Sequence, residues 1–295
     1  MLSLARLQRC YGYADVHAFQ RPVVEAVFNG QDAVVAQPTG GGKSLCFQLP
    51  ALVHALRVNE ARRRKEPGAE TLQYKTVVVI SPSVALMTDQ VQCSSRQTFS
   101  SLLSALPSAL PSALPSALPS DLLGPSLTVS DQVNELNKTL RTSVRDLSVF
   151  GTPPDGEIAT LLGTGQKDKD TLRRVREGAY RLVYVTEVFL FGKDRSHGTE
   201  WLYELHRRGQ VLMIAVDEAQ NIVEGGERVD YRPDYARLGE LRKVLDTVPV
   251  LALSAPATPA MWTQMTSSLG LVAPVHPSPS MPFHARPCPS MPFHR

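Results

Sequence analysis

Cysteine is scarce and scattered: Cys10, Cys46, Cys93 and Cys288 are the only four in 295 residues, with no Cys-x-x-Cys pair and no histidine at zinc-ligand spacing. That argues against a structural zinc site, and the thiols read as reduced. An excess of charge of one sign is also lacking. With 31 Lys plus Arg against 28 Asp plus Glu, the formal charge is only +3, so any nucleic-acid binding must come from a local surface, not from net charge. Nowhere do ~18 apolar residues run together, as a membrane span requires. The start, MLSLARLQRCYGYAD, is interrupted by Arg6 and Arg9 before it reaches signal-peptide length. A soluble intracellular protein is expected.

What is present is enough apolar residue, 43% of the chain, to build a sizeable core. Five short β-branched runs stand out: DAVVAQ (32–37), TVVVIS (76–81), RLVYVT (181–186), VLMIAVDE (211–218) and VPVLALSA (248–255). Each is continuously apolar instead of alternating, as strands covered on both faces of a parallel sheet are. Stretches of helical periodicity lie between them, including Lys43 to Leu56, Asp168 to Glu177 and Tyr235 to Leu245. The expected fold class is therefore α/β, a doubly wound and mostly parallel sheet whose ligands collect at the carboxyl ends of the strands.

Two segments depart from that pattern. From 94 to 157 the composition shifts, and SALP occurs four times in succession from Ser104 to Pro119, with a proline every fourth residue to block helical turns. The proline-rich tail, 273–295, carries PSMPFH twice, at 279–284 and 289–294. The expected organisation is a nucleotide-binding domain over 1–93 and 158–272, a flexible surface insertion over 94–157, and a disordered tail.

The first run leads directly into QPTGGGKS and then into a helical stretch. Three consecutive glycines, Gly40, Gly41 and Gly42, let backbone N–H groups after Thr39 turn toward phosphate oxygens, since glycine alone tolerates such φ values and such close approach at little cost. Lys43 would then reach the terminal phosphates of a nucleotide, and the Ser44 hydroxyl would coordinate Mg2+ at a helix N-terminus. A strict phosphate loop has glycine five residues before Gly42, where this chain has Gln37. Further along, VLMIAVDEAQ places Asp217 and Glu218 at the tip of an apolar strand, where acids are costly unless a cation or polar site receives them. The pairing assigns Asp217 to the metal and Glu218 to the attacking water of phosphoryl transfer. ATP and Mg2+ are the expected cofactors.

Several further strings, in order, resemble the RecQ family of superfamily 2 DNA helicases. YGYADVHAFQRPVVEAVFNGQD (11–32) is similar to that family's adenine-recognition segment, with Gln20 ten residues before Gly30. SPSVALMTDQV (81–91), ATLLGTGQ with RRVREGAYRLVYVT (159–186), and YRPDYARLGELRKVLDTVPVLALSAPAT (231–258) resemble its later motifs, so the likeness covers most of residues 4 to 260. The resemblance implies a RecA-like motor lobe. It implies that Gln20 recognises adenine and that Ser81, Thr186, Tyr231 and Arg232 contact nucleic acid. Ser254 and Thr258 would couple hydrolysis to movement, with single-stranded and duplex DNA as partners.

The chain also departs from the family. Gln220 stands where the acid motif usually ends in histidine, yet glutamine can still donate and accept. Pro256 replaces a hydroxyl residue in the coupling motif and removes a backbone donor. The loop Gly225 to Arg232 has lost the family's tryptophan and histidine, leaving Tyr231 to stack on bases; His17 replaces an arginine, and no proline follows Thr186. Nothing after Pro259 has the length of a second motor lobe with its arginine finger. Two functions from different classes therefore stand side by side: a RecQ-type ATP-dependent helicase working 3′ to 5′, and a non-catalytic lobe that holds ATP and DNA. A guanine-nucleotide switch or small-molecule kinase would need a recognition motif not found here. The basic run Arg62-Arg63-Arg64-Lys65 suits either a nuclear-localisation or phosphate patch or, more commonly, a solvated loop.

Overall fold

The computed structural model describes residues 18–38, 42–82, 137, 150–152, 157–163, 170–192, 198–223 and 233–277. All five apolar runs are strands, and a sixth joins them. In chain order they are β1 (Ala33–Ala36), β2 (Thr76–Ile80), β3 (Ala159–Leu162), β4 (Leu182–Val185), β5 (Val211–Val216) and β6 (Val250–Ser254). They form one sheet in the order β1-β6-β5-β2-β4-β3, with every pairing parallel.

Successive side chains along a strand point to opposite faces, and both faces are buried. Val77 and Val79 of β2 enter one cluster with α1 (Gln20–Phe28) and α2 (Leu45–Arg63). Val78 and Ile80 enter the other, with α3 (Thr171–Arg176), α4 (Glu187–Phe191), α5 (Glu200–Arg207), α6 (Pro233–Ala236), α7 (Leu238–Arg242) and α8 (Pro259–Ser268). Helices on both faces of a parallel sheet are the doubly wound arrangement expected, and they account for the unbroken apolar character of the strands.

The helices differ in detail from their expected spans. The first long one runs on to Arg63, so the basic run is its last turn. There Arg62 donates to the Leu72 carbonyl at 2.6 Å and lies over the Tyr74 ring, while Arg64 pairs with Glu60. Cations at a helix C-terminus complement its dipole, which explains the run without a ligand. The stretch Tyr235 to Leu245 is two short helices, α6 and α7, not one. Gly239 in α7 lies so close to α8 that an added Cβ would sit 2.2 Å from the Ser268 carbonyl oxygen.

A few described residues of the two compositionally distinct segments pack against the fold. Phe150 is buried in the first cluster, and the Asn137 side chain accepts from Ile158 and Ala159 N–H at 3.1 Å and donates to the Ala159 carbonyl. Both fall within 94–157, so these two residues pack against the fold and Asn137 braces the start of β3; the SALP repeats lie outside the described residues. Likewise the tail does not leave the fold at 273. Val275 bridges the outer edge of β1, taking a hydrogen bond from Val34 N–H at 3.0 Å and giving one to the Asp32 carbonyl at 2.8 Å. Burial and backbone pairing are tertiary matters that composition does not report. Among the described residues, no helix is long and apolar enough to cross a membrane.

Candidate nucleotide site

Strand register brings four tips to one edge. Ala36 lies beside Ser254, with Gln37 N–H bonded to the Ser254 carbonyl at 3.1 Å. Val216 lies beside both Ala252 and Ile80, and Asp217 N–H donates to the Ile80 carbonyl at 2.8 Å. The glycine loop after β1 and the acid pair after β5 thus share the carboxyl edge of the sheet, flanking the tip of β6.

Thr39, Gly40 and Gly41 lie outside the described residues; Gly42, Lys43 and Ser44 close the loop and open α2. Gly42 has φ +81°, the left-handed region that favours glycine. The Lys43 ammonium donates to the Gln37 carbonyl at 2.8 Å, tying the loop's end to its beginning. Ser44 occupies the N-cap of α2, yet its hydroxyl makes no capping bond. Gln20 is fully buried and its side-chain amide donates to the Gly42 carbonyl at 2.7 Å. The resemblance implies a contact with adenine; the structure places this amide against the phosphate loop, clamping α1 to it.

At the other tip, Asp217 is fully buried and its backbone carbonyl accepts from the Tyr235 hydroxyl at 3.0 Å. Glu218 adopts φ 48°, ψ 45°, a left-handed conformation that is uncommon for a residue with a side chain and that gathers at functional turns. Its carboxylate accepts from the Gln220 side-chain amide, and the oxygen of that same amide accepts from the Ser254 hydroxyl at 2.8 Å. Gln220 therefore connects the acid pair to the β6 motif using both ends of one side chain, the dual capacity that makes glutamine workable where the family has histidine.

The two halves also approach one another around Tyr184 on β4. Its phenol pKa is pushed up to about 12, first by complete burial and then by the nearby Asp217 charge, with the amide of Gln48 acting the other way. Gln48, one turn after Ser44, meets the hydroxyl in a long contact of 3.5 Å. Tyr184, Gln48 and Tyr235 were not singled out from the sequence. Tyr235 sits inside the quoted YRPDYARLGE stretch, but its bond to a strand-tip carbonyl has no signature in a string.

The remaining expected residues are less open. Ser81 is buried, and Thr186 is buried with its hydroxyl accepting from Phe189 N–H at 3.2 Å as the N-cap of α4. Thr258 likewise caps α8, accepting from Met261 N–H at 3.3 Å. Tyr231 and Arg232 lie outside the described residues.

A parallel sheet wound on both faces, with a glycine-lysine-serine turn and an acid pair at its carboxyl edge, defines a RecA-like nucleotide-binding lobe of the phosphate-loop class. Residues 17–108 match the DEAD/DEAH box helicase family. The curated proteins it is similar to include RecQ-family helicases. The ATP-dependent helicase SGS1 of Saccharomyces cerevisiae is 25% identical over 92% of this chain and 14% of its own. The ATP-dependent DNA helicase RecQ of Haemophilus influenzae is 26% identical over 91% of this chain and 30% of its own, and the ATP-dependent DNA helicase Q5 of Mus musculus 28% over 91% and 20%. The chain spans well under half the length of each of these relatives.

Proposed function

We propose that this chain is the ATP-binding lobe of a RecQ-type DNA helicase, in which Mg-ATP hydrolysis drives 3′ to 5′ movement along single-stranded DNA and unwinding of duplex. The observation that carries the reading is the hydrogen-bonded path from Glu218 through Gln220 to Ser254, set beside a phosphate loop at the same sheet edge. The names of the relatives, which are DNA helicases, support the choice of DNA as partner. Work on nuclear DNA, in repair or recombination, is part of the same reading.

In this assignment the loop amides from Thr39 to Gly42 bind the phosphates, and Lys43 turns from the Gln37 carbonyl to the terminal phosphate oxygens. A hydroxyl at Ser44 and a carboxylate at Asp217 form the oxygen donor set that suits magnesium when phosphates complete its shell. Magnesium bound there would neutralise charge on the phosphate oxygens. Glu218 orients the attacking water and accepts its proton. Gln220 passes the position of Glu218 to Ser254, and Thr258 steadies the helix that follows.

The test compares ATP binding and DNA-stimulated ATP hydrolysis in the wild-type chain, Lys43→Ala and Glu218→Gln. Lys43→Ala should lose binding, and Glu218→Gln should bind but not turn over. Equal hydrolysis in all three would overturn the assignment. Pro256 favours a second reading, since a proline in the coupling motif removes a donor from the β6 tip. ATP binding by the wild-type chain with no DNA-stimulated turnover would decide for a non-catalytic binding lobe.

A further inference from the structure

We infer that Tyr235 is a positioning residue for the acid pair, its buried hydroxyl fixing the peptide that joins Asp217 to Glu218. This rests on the nucleotide-site reading proposed above and adds to it a residue to which the sequence alone gives no role. The peptide in question sets the directions of two side chains at once. On its amino side Asp217 N–H is held by the Ile80 carbonyl at 2.8 Å, which is ordinary sheet pairing. On its carboxyl side the chain turns sharply, because Glu218 sits at φ 48°, ψ 45° before a 3-10 turn over Ala219–Ile222. A side-chain-bearing residue keeps such a conformation only where its surroundings hold it. Between these two features the Asp217 carbonyl accepts from Tyr235 at 3.0 Å.

Tyr235 is suited to that task. Its ring is fully buried in the second cluster, so the hydroxyl is presented from a rigid support and not from a mobile side chain. It comes from α6, which packs directly on the 3-10 turn that follows Glu218. The geometry of the acid pair therefore depends on a helix 18 residues further along the chain. Loss of the hydroxyl frees the carbonyl and with it the peptide plane, so the Asp217 carboxylate no longer points consistently at the metal position.

The test is Tyr235→Phe, which keeps the ring and removes only the hydroxyl, with Tyr74→Phe as control. Tyr74 donates to Asn59 at 2.5 Å at the far end of α2, so its loss removes a comparable bond away from the site. The affinity of a fluorescent ATP analogue is measured for each chain with Mg2+ and with EDTA, and folding is followed by near-ultraviolet circular dichroism. Groups that orient metal ligands are worth about 10-fold or more in metal affinity. Tyr235→Phe should accordingly lose about 10-fold of the magnesium-dependent gain while its binding in EDTA is unchanged, and Tyr74→Phe should keep the full gain. A Tyr235→Phe chain that retains the gain, that loses it equally with the control, or that fails to fold would overturn the inference. A wild-type chain that binds no analogue in Mg2+ would overturn the nucleotide reading itself, and this inference with it.

Discussion

The two edges of the sheet each hold a carboxylate, and they hold it in opposite ways. At the amino edge, Asp32 is only 3% exposed and both its oxygens meet donors: Val250 N–H at 2.9 Å, Arg242 at 2.9 Å and Val272 N–H at 2.8 Å. Arg242 in turn donates to the Val248 carbonyl at 2.7 Å. This clasp joins the start of β1 to α7, β6 and the segment that ends the described chain. At the carboxyl edge, Glu218 is held by a neutral amide on a left-handed backbone. A fully satisfied ion pair rigidifies, whereas strain with a neutral partner leaves a carboxylate available for chemistry. On the proposed reading, the contrast gives stability to one edge and reactivity to the other.

The sharpest way to break the contrast is to neutralise each acid. Glu218→Gln should lower DNA-stimulated turnover by ~10²–10⁴-fold, the range for a positioned general base, with the urea midpoint unchanged. Asp32→Ala should do the reverse. It takes the acceptor away from Arg242 and from the Val250 and Val272 N–H groups, a loss of roughly 3–5 kcal/mol in unfolding free energy at about 1–3 kcal/mol for each donor left without an acceptor, and folded protein should bind ATP as before. An Asp32→Ala chain of normal stability would mean that the amino edge is not where the fold is secured.

A smaller effect comes from His54 on α2, also on the amino side of the molecule. Burial, followed by the charges of Lys75, Arg181 and Arg57, pushes its pKa down to about 4. The folded value lies below the ordinary one of about 6.5, so the unfolded chain binds more protons in between. Stability should therefore fall as pH drops from about 6.5 to about 4, by up to ~3 kcal/mol. Urea unfolding across that window should show the decline in the wild type and a shallower one in His54→Leu. An identical pH profile in the two chains would remove His54 as the source.

How much of this was legible depends on whether the signal was local. Five strands are visible because continuous burial on both faces leaves continuous apolar runs, and the phosphate loop and acid pair are visible because each occupies a few consecutive residues at a strand end. β3 is legible only as part of a family-like stretch, since Ala159–Leu162 has one β-branched residue and lies between polar and glycine-rich neighbours. Composition alone places Asn137, Phe150 and Val275 in the insertion and tail, while their contacts are a side-chain bridge, a core contact and a β-bridge to distant residues. The turn at Glu218 was invisible for a different reason: positive φ is expected of glycine, and glutamate gives no hint of it. Gln20 is legible only through the resemblance, and its bond to the Gly42 carbonyl has no signature in the string.

The weakest expected effect sharpens the comparison at its finest point. The Ser254 hydroxyl has two acceptors in reach, Gln220 at 2.8 Å and the Ala255 carbonyl at 2.7 Å, but only one proton to donate. Donation to Gln220 continues the path to Glu218, and donation to Ala255 interrupts it, so the hydroxyl is placed to exist in either state. Ser254→Ala removes both and should cost about 0.5–1.5 kcal/mol in unfolding free energy, the net worth of one hydrogen bond, because the Ala255 carbonyl can still find water. On the proposed reading, ATP affinity should stay at the wild-type level while stimulation by single-stranded DNA falls. Stability lost on the scale of Asp32→Ala, with stimulation intact, would show that Ser254 holds the fold together and that the division of labour between the two edges is not as drawn.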